Sequence, residues 1–251
     1  MEKIFIFIKK LFFSKKEKGS LTIIAVGPGD PSLLTIQATR ALKKSKVIFY
    51  PISGEDNDSY SAEIVKKFIK KKRQLPLIFP MGRNGYDSDF IWRSGAKKIT
   101  DYINRNIPVA LICLGDTSIY ASSFYLKNEI KKNYPKIKIN TLPGISSLSL
   151  AAALGDFQLI TQGESLKILE CPDDINQFNN LINQESYEVL AIMKVGRRWK
   201  WVKYALEEKK ILRQTLLAVN LGMKNQFIGK ASEYQSDELP YFSLILLRIG
   251  I

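Results

Sequence analysis

Ligand chemistry in this chain concentrates in Val26-Gly27-Pro28-Gly29-Asp30-Pro31-Ser32-Leu33-Leu34-Thr35, which follows the apolar run Leu21 to Val26 and opens a helical pattern from Leu33 to Lys44. Two glycines permit a sharp turn and leave the main chain open to a ligand, while Asp30 suits a helix N-cap and Pro31 the first helical position. The spacing excludes a dinucleotide fingerprint. Ser32 stands where the third glycine of G-x-G-x-x-G belongs, and the next strand ends in Phe49-Tyr50-Pro51 with no acid to hold a ribose. No Gly-Lys-Ser/Thr closes the motif, so it is not a P-loop. Taken alone, the loop also serves as a plain tight βα turn.

The 251 residues include no histidine, which excludes a His base and any Ser-His or Cys-His nucleophile. Cys113 lies inside an apolar strand pattern and Cys171 follows another, so both read as buried thiols of a cytoplasmic protein and suggest neither a disulfide nor a metal site.

The elements that position the loop alternate. Strand patterns at 21–26, 47–50, 75–79, 109–114 and 137–142 are separated by helical patterns at 33–44, 62–72, 90–104 and 119–133. That is the grammar of a mostly parallel sheet with helices on both faces. Beyond Leu154 strands at 166–170, 189–194, 216–220, 227–230 and 242–249 mix with helices at 175–182 and 200–208, and the last strands suggest antiparallel pairing. The fold class predicted is α/β: an extension at 1–20, an N-terminal α/β domain at 21–155, a linker at 155–164, and a C-terminal α/β domain with a mixed sheet at 165–251. An active-site cleft is expected between the domains.

Three motifs in order resemble those of the tetrapyrrole (corrin and porphyrin) methyltransferases. The first is Ala25-Val26-Gly27-Pro28-Gly29-Asp30-Pro31 with Leu33-Leu34-Thr35, the second Leu111-Ile112-Cys113-Leu114-Gly115-Asp116, and the third Pro143-Gly144-Ile145-Ser146-Ser147. The resemblance spans about Leu21 to Arg248. Within the family it is nearest the branch that methylates precorrin-2 at C20, on Val47-Ile48-Phe49-Tyr50-Pro51, Phe79-Pro80-Met81 with Arg83, Gly115 to Ser122, and Tyr241 to Ile245. Thr117 and Val219-Asn220-Leu221-Gly222 depart from the usual pattern.

The resemblance implies S-adenosylmethionine as cofactor and precorrin-2 or its cobalt form as substrate, in cobalamin biosynthesis. Cofactor contacts are then expected at Pro28, Leu114, Gly115, Asp116, Ile119, Ser146, Ser147, Met193 and Asn220, and substrate contacts at Tyr50, Arg83, Tyr120 and Arg197. Ser146 and Ser147 also fit a plain helix N-cap. No catalytic base is identifiable; Asp116 reads equally as base, cofactor ligand or loop cap. Methyl transfer asks chiefly for alignment and exclusion of water. The alternatives are a uroporphyrinogen methyltransferase, a later corrin methylase or diphthine synthase and, from another class, a basic RNA-binding or membrane-binding protein.

The net charge of +14 has two readings: a basic cleft for a substrate rich in carboxylates, or solvated helix faces such as Lys66-Lys67 and Lys70-Lys71-Lys72-Arg73. Arg83, Arg197 and Arg198 stand beside apolar strand ends, where bidentate carboxylate contacts fit. Nucleic acid is not expected, because Gly27-Pro28-Gly29-Asp30 differs from the P-I-G-N loop of related RNA methylases and the cations do not interleave with aromatics. The resemblance implies a homodimer, for which Phe242 to Ile249 could supply apolar surface. The segment Ile4 to Phe13, split by Lys9-Lys10, is too short to span a bilayer. It reads first as an extension on the body and second as a membrane-surface segment.

Overall fold

The computed structural model describes residues 19–54, 58–79, 88–184 and 188–250. The chain forms two units: one comprises the residues up to Gly27 and Pro31–Ile145, the other Pro28–Asp30 with Ser146–Ile251.

The first unit is built on five parallel strands, β1 (Leu21–Ala25), β2 (Val47–Ile52), β3 (Arg73–Ile78), β4 (Val109–Cys113) and β5 (Ile139–Leu142), in the order β3-β2-β4-β1-β5. Alternate residues of each strand point to opposite faces. Leu21, Ile23 and Ala25 of β1 join Phe49, Leu111 and Cys113 in one core, whereas Ile24 joins Ile48, Ala110 and Ile112 in the other. The first core is closed by α4 (Ser88–Asn104) and α5 (Ser123–Asn133), through Ile99, Ile103, Leu126 and Ile130. The second is closed by α1 (Ile36–Lys44), α2 (Tyr60–Ile64) and α3 (Lys66–Ile69), through Ala38, Leu42, Ile64 and Ile69. Pro76 sits in β3, an edge strand, where a missing N–H is tolerated.

Three local expectations are corrected. Asp30 and Pro31 open only a short 3₁₀ turn, Pro31–Leu33, and α1 begins at Ile36 with Thr35 as its N-cap, the Thr35 hydroxyl accepting from Ala38 N at 3.0 Å. The helix anticipated over 62–72 breaks at Val65, whose backbone leaves the helical region (φ −101°, ψ 8°) while its side chain is fully buried. The helix anticipated from Ile119 starts at Ser123, because the preceding residues are held in a loop by Asp116.

The second unit carries β6 (Ser165–Glu170), β7 (Glu188–Met193), β8 (Leu216–Val219), β9 (Phe227–Lys230) and β10 (Ser243–Ile249) in the order β6-β7-β10-β8-β9. Only β6 and β7 are parallel; β10 runs antiparallel to both β7 and β8. Helices α6 (Ser147–Leu154), α7 (Ile175–Ile182) and α8 (Trp199–Glu208) complete it. Asp174 caps α7 by accepting from Asn176 N and Gln177 N, both at 2.9 Å, a feature worth about 1 kcal/mol. Trp199 is fully buried and donates its indole N–H to Ser236 O at 3.0 Å.

The suggestion that Phe242 to Ile249 supplies a dimer surface is corrected by the same sheet. β10 lies in its interior, and Leu244 to Leu247 are at most 4% exposed, so their apolar surface is spent on their own core.

Candidate active site

Strand order decides where the first unit can hold a ligand. β1 and β4 are neighbours, yet the chain leaves β1 toward β2 by way of α1 on one face and leaves β4 toward β5 by way of α5 on the other. Their exits therefore diverge, opening the crevice typical of ligand sites in such sheets. Gly27 and Gly115 stand at those two exits. Gly27 N donates to Gly115 O at 3.0 Å, and Gly115 N donates to Gly27 O at 2.8 Å.

Both residues have positive φ, +78° and +69°, a region costly for side chains with a Cβ. Gly144 of the third motif closes the set, since a Cβ there would lie 2.7 Å from Ala25 Cβ and from Gly115 O. The three motifs thus meet backbone to backbone. A Cβ on Gly115 would meet no atom within 4 Å, so the main chain faces open space there.

The loop that follows is shaped by one carboxylate. Asp116 Oδ1 accepts from Ser118 N, from Ser118 Oγ at 2.9 Å and from Ile119 N at 3.1 Å, the pattern by which Asp mimics a backbone turn. Leu114, Gly115, Asp116 and Ile119 are half-buried along it, and Tyr120 ends it with φ 49° and 48% exposure. Burial raises the Cys113 thiol to about 11 and the Cys171 thiol to about 12, so neither is a nucleophile near neutrality.

Beside this loop, Trp92 of α4 stacks on Tyr125 of α5 with centroids 5.4 Å apart and planes 17° off parallel. Phe79 and Phe124 extend the row, and Phe124 and Tyr125 are more than half exposed. Tyr50, within β2, is half-buried and packs against the core closed by α1. Arg83 lies outside the described residues.

In the second unit the other anticipated residues gather where β7 and β8 end and β10 begins. Met193 closes β7 opposite Leu244, and Val219 closes β8 opposite Ser243. The next residues, Lys194 (φ 59°) and Asn220 (φ 49°), are both left-handed. Asn220 N donates to Phe242 O at 2.8 Å. The buried Ser243 hydroxyl accepts from Gly196 N at 2.8 Å and donates to Pro240 O at 3.0 Å. Sequence reasoning missed Ser243, whose signal is a single hydroxyl opening an apolar strand.

Pro28, buried, belongs to this unit with Gly29 and Asp30, and their backbone lies against Leu221–Gly222. Ser146 is the N-cap of α6, accepting from Ser149 N at 3.1 Å, and Ser147 is that helix's first residue. Arg197 is exposed in a 3₁₀ turn after β7. Arg198 is already engaged by Asp173 and by Lys194 O, so it is not a free carboxylate receptor.

Comparison with known proteins gives this site its context. The family model of the tetrapyrrole (corrin/porphyrin) methylases matches residues 20–235. A cobalt-precorrin-2 C(20)-methyltransferase of Salmonella typhimurium is 25% identical, with 91% of this chain and 96% of that protein covered. A precorrin-2 C(20)-methyltransferase of Sinorhizobium sp is 27% identical, with 91% and 95% covered. Among solved structures, a cobalt precorrin-4 methyltransferase superimposes with a TM-score of 0.67 at 15% identity, over 94% of this chain and 98% of that one. A uroporphyrin-III C-methyltransferase from Thermus thermophilus, complexed with S-adenosyl homocysteine, gives 0.61 at 19% identity over 91% and 97%. The three motifs, the two α/β units and the family match over most of the length agree, and the chain belongs to the tetrapyrrole methylases.

Proposed function

We propose that the chain transfers a methyl group from S-adenosylmethionine to C20 of precorrin-2 or of its cobalt form, as a step of cobalamin biosynthesis. Like other tetrapyrrole methylases, it uses S-adenosylmethionine as cofactor. The observation that carries the reading is the meeting of Gly27, Gly115 and Gly144 at the β1/β4 switch, in a chain whose relatives of that activity match it nearly end to end.

The residues suit the cofactor. Its sulfonium and ammonium outweigh its one carboxylate, and it carries no phosphate to bind. Correspondingly, the stretches 26–35 and 114–122 contain Asp30 and Asp116 and no cation. Main chain at Gly115 and the small side chains of Ser146 and Ser147 offer hydrogen bonds without bulk, with Pro28, Leu114, Ile119, Met193 and Asn220 as further contacts. Bound there, the cofactor supplies an electrophilic methyl carbon.

The chain's own part is alignment and exclusion of water, which alone lowers barriers by several kcal/mol, roughly 7 or more in favourable cases. Tyr50, Tyr120 and the Trp92–Tyr125–Phe124 row offer apolar surface to a macrocycle, and Arg83 and Arg197 offer charge to its carboxylates. The homodimer remains part of this proposal.

The test is incubation of the recombinant chain with S-adenosylmethionine and, separately, precorrin-2, cobalt-precorrin-2 and uroporphyrinogen III. Mass spectrometry reads the gain of one methyl and NMR its position. Methylation at C20 of either precorrin-2 form is the expected result; turnover of uroporphyrinogen III alone would move the chain to another branch.

A further inference from the structure

A single buried hydroxyl opens an otherwise apolar strand. Ser243 heads Ser-Leu-Ile-Leu-Leu in β10 and is 5% exposed, a placement that costs stability unless the hydroxyl is paired. Here it is paired twice over. Ser243 Oγ accepts from the buried Gly196 N at 2.8 Å and donates to Pro240 O at 3.0 Å, while Ser243 O accepts from Val195 N at 3.3 Å. One residue therefore pins two consecutive amides of the chain leaving β7 to the chain entering β10. The ladder from β10 to β7 and β8 is made by backbone and does not call for a hydroxyl at this position.

Those amides lead into the 3₁₀ turn Gly196–Arg198. Lys194 and Gly196 hold positive φ, 59° and 33°, so the chain bends sharply, and Arg198 N returns to Val195 O at 2.8 Å. The turn carries two arginines of unequal freedom. Arg198 is held by Asp173 and by Lys194 O, whereas Arg197 is exposed and forms no ion pair among the described residues. The acids of this region are engaged elsewhere: Glu170 with Lys194, Asp173 with Arg198 and Asp237 with Lys203. Lys200 and Glu238, both exposed and of opposite sign, leave that balance unchanged. The direction of Arg197 is thus set by its backbone, and that backbone by Ser243.

The neighbouring turn after β8 has supports of its own. Asn220 N donates to Phe242 O at 2.8 Å, Met223 N to Asn220 O at 2.9 Å and Gly222 N to Gln226 Oε1 at 2.6 Å. None of these bonds uses the Ser243 side chain. Loss of the hydroxyl would release the Arg197 turn and leave Leu221–Gly222, against which the first signature loop lies, in place.

We propose that Ser243 is a positioning residue for the substrate: through Gly196 it aims Arg197 at a carboxylate of the tetrapyrrole, and it takes no part in holding the cofactor. The inference rests on the methylase reading for the class of ligand, a ring rich in carboxylates.

The experiment titrates uroporphyrin I, a stable ring of that class, into the full chain and into Ser243→Ala, Ser243→Thr, Arg197→Met and the Ser243→Ala/Arg197→Met double variant, with fluorescence as the readout. Calorimetry gives S-adenosylmethionine affinity for each, and melting verifies the fold. Ser243→Ala and Arg197→Met should each weaken ring binding roughly fivefold, the value of one exposed arginine–carboxylate contact. The double variant should lose no more than either single one, because both changes act on the same contact. Ser243→Thr keeps the hydroxyl and should restore ring binding, while cofactor affinity stays within about twofold of wild type throughout. Should Ser243→Ala melt too early to titrate, Ser243→Cys keeps the volume and a weak donor and acceptor, and its ring affinity should lie between those of wild type and Arg197→Met. Binding and not turnover is read, so a chain that methylates another position would leave the result standing. An additive double variant, about 25-fold weaker, unchanged ring affinity in Ser243→Ala, equal losses of ring and cofactor affinity, or a wild-type chain that does not bind the ring would each overturn the proposal.

Discussion

Gly29 and Gly222 lie backbone against backbone: a Cβ on either would collide with the main chain of the other's segment, and Gly222 holds φ +70°. The first signature loop and the turn after β8 are thereby fixed together with no side chain between them. Gly222→Ala meets both a left-handed backbone and the Asp30 amide. The handedness alone costs about 1–2 kcal/mol, so a loss of at least about 2 kcal/mol is expected together with weakened S-adenosylmethionine binding. Thermal melting and calorimetric titration check it, and an alanine variant with wild-type melting would show that the two segments separate freely.

Asp116 offers a sharper separation of roles. Alanine removes an acceptor for three donors of its own loop, so affinity for the cofactor should fall more than tenfold, about 1.4 kcal/mol. Asparagine keeps an oxygen for those donors and removes only the charge. If Asp116 acts by shaping the loop, Asp116→Asn binds S-adenosylmethionine within about threefold of wild type; a loss equal to that of alanine would show that the charge itself is used.

Much of this was legible in the sequence, for identifiable reasons. Alternation of five strand and four helix patterns gave the parallel sheet because period and length are set by burial on two faces, as Ile23 and Ile24 show by entering different cores. The glycine motifs were legible because positive φ and close approach leave few substitutes. Boundaries were less so. Thr35 displaced Asp30 as the cap of α1, and both are good cap residues, so only the 3₁₀ turn between them decides. The interior place of β10 was hidden because an apolar strand reads alike in the middle of a sheet and at an interface. Ser243 was hidden because one hydroxyl carries no periodicity, although it ties Gly196 to Pro240.

A pH dependence follows from the clamp on the turn before β6. Arg248 donates to Glu164 at 2.7 Å and to Gln158 O, and its guanidinium lies over Phe157 at 4.7 Å. That hydrogen bond first, and the Thr161 amide next, hold the Glu164 carboxyl down at about 2, against about 4.3 for a free glutamate. A depressed pKa contributes stability that is present above the unfolded value and disappears as pH falls through the folded one. Amides of 157–164 should therefore stay protected from hydrogen exchange at pH 5 and open between about pH 4.3 and 2. In Glu164→Gln the protection should no longer change across that window. Equal pH profiles for the two proteins would remove Glu164 as the titrating group.

Arg197 tests the substrate side of the proposed reaction. It is exposed after β7, whereas its neighbour Arg198 is held by Asp173. Arg197→Met keeps most of the side chain's bulk and deletes the charge, so folding and cofactor affinity should be unchanged. A contact between an exposed arginine and a carboxylate is worth about 1 kcal/mol, which predicts a rise of roughly fivefold in KM for the tetrapyrrole with kcat nearly constant. Raising the salt concentration should weaken wild-type binding toward that of the variant and leave the variant less affected. Steady-state kinetics at two ionic strengths make the measurement. If KM and the cofactor's dissociation constant rise together, Arg197 supports the shape of the turn after β7 and does not meet the substrate.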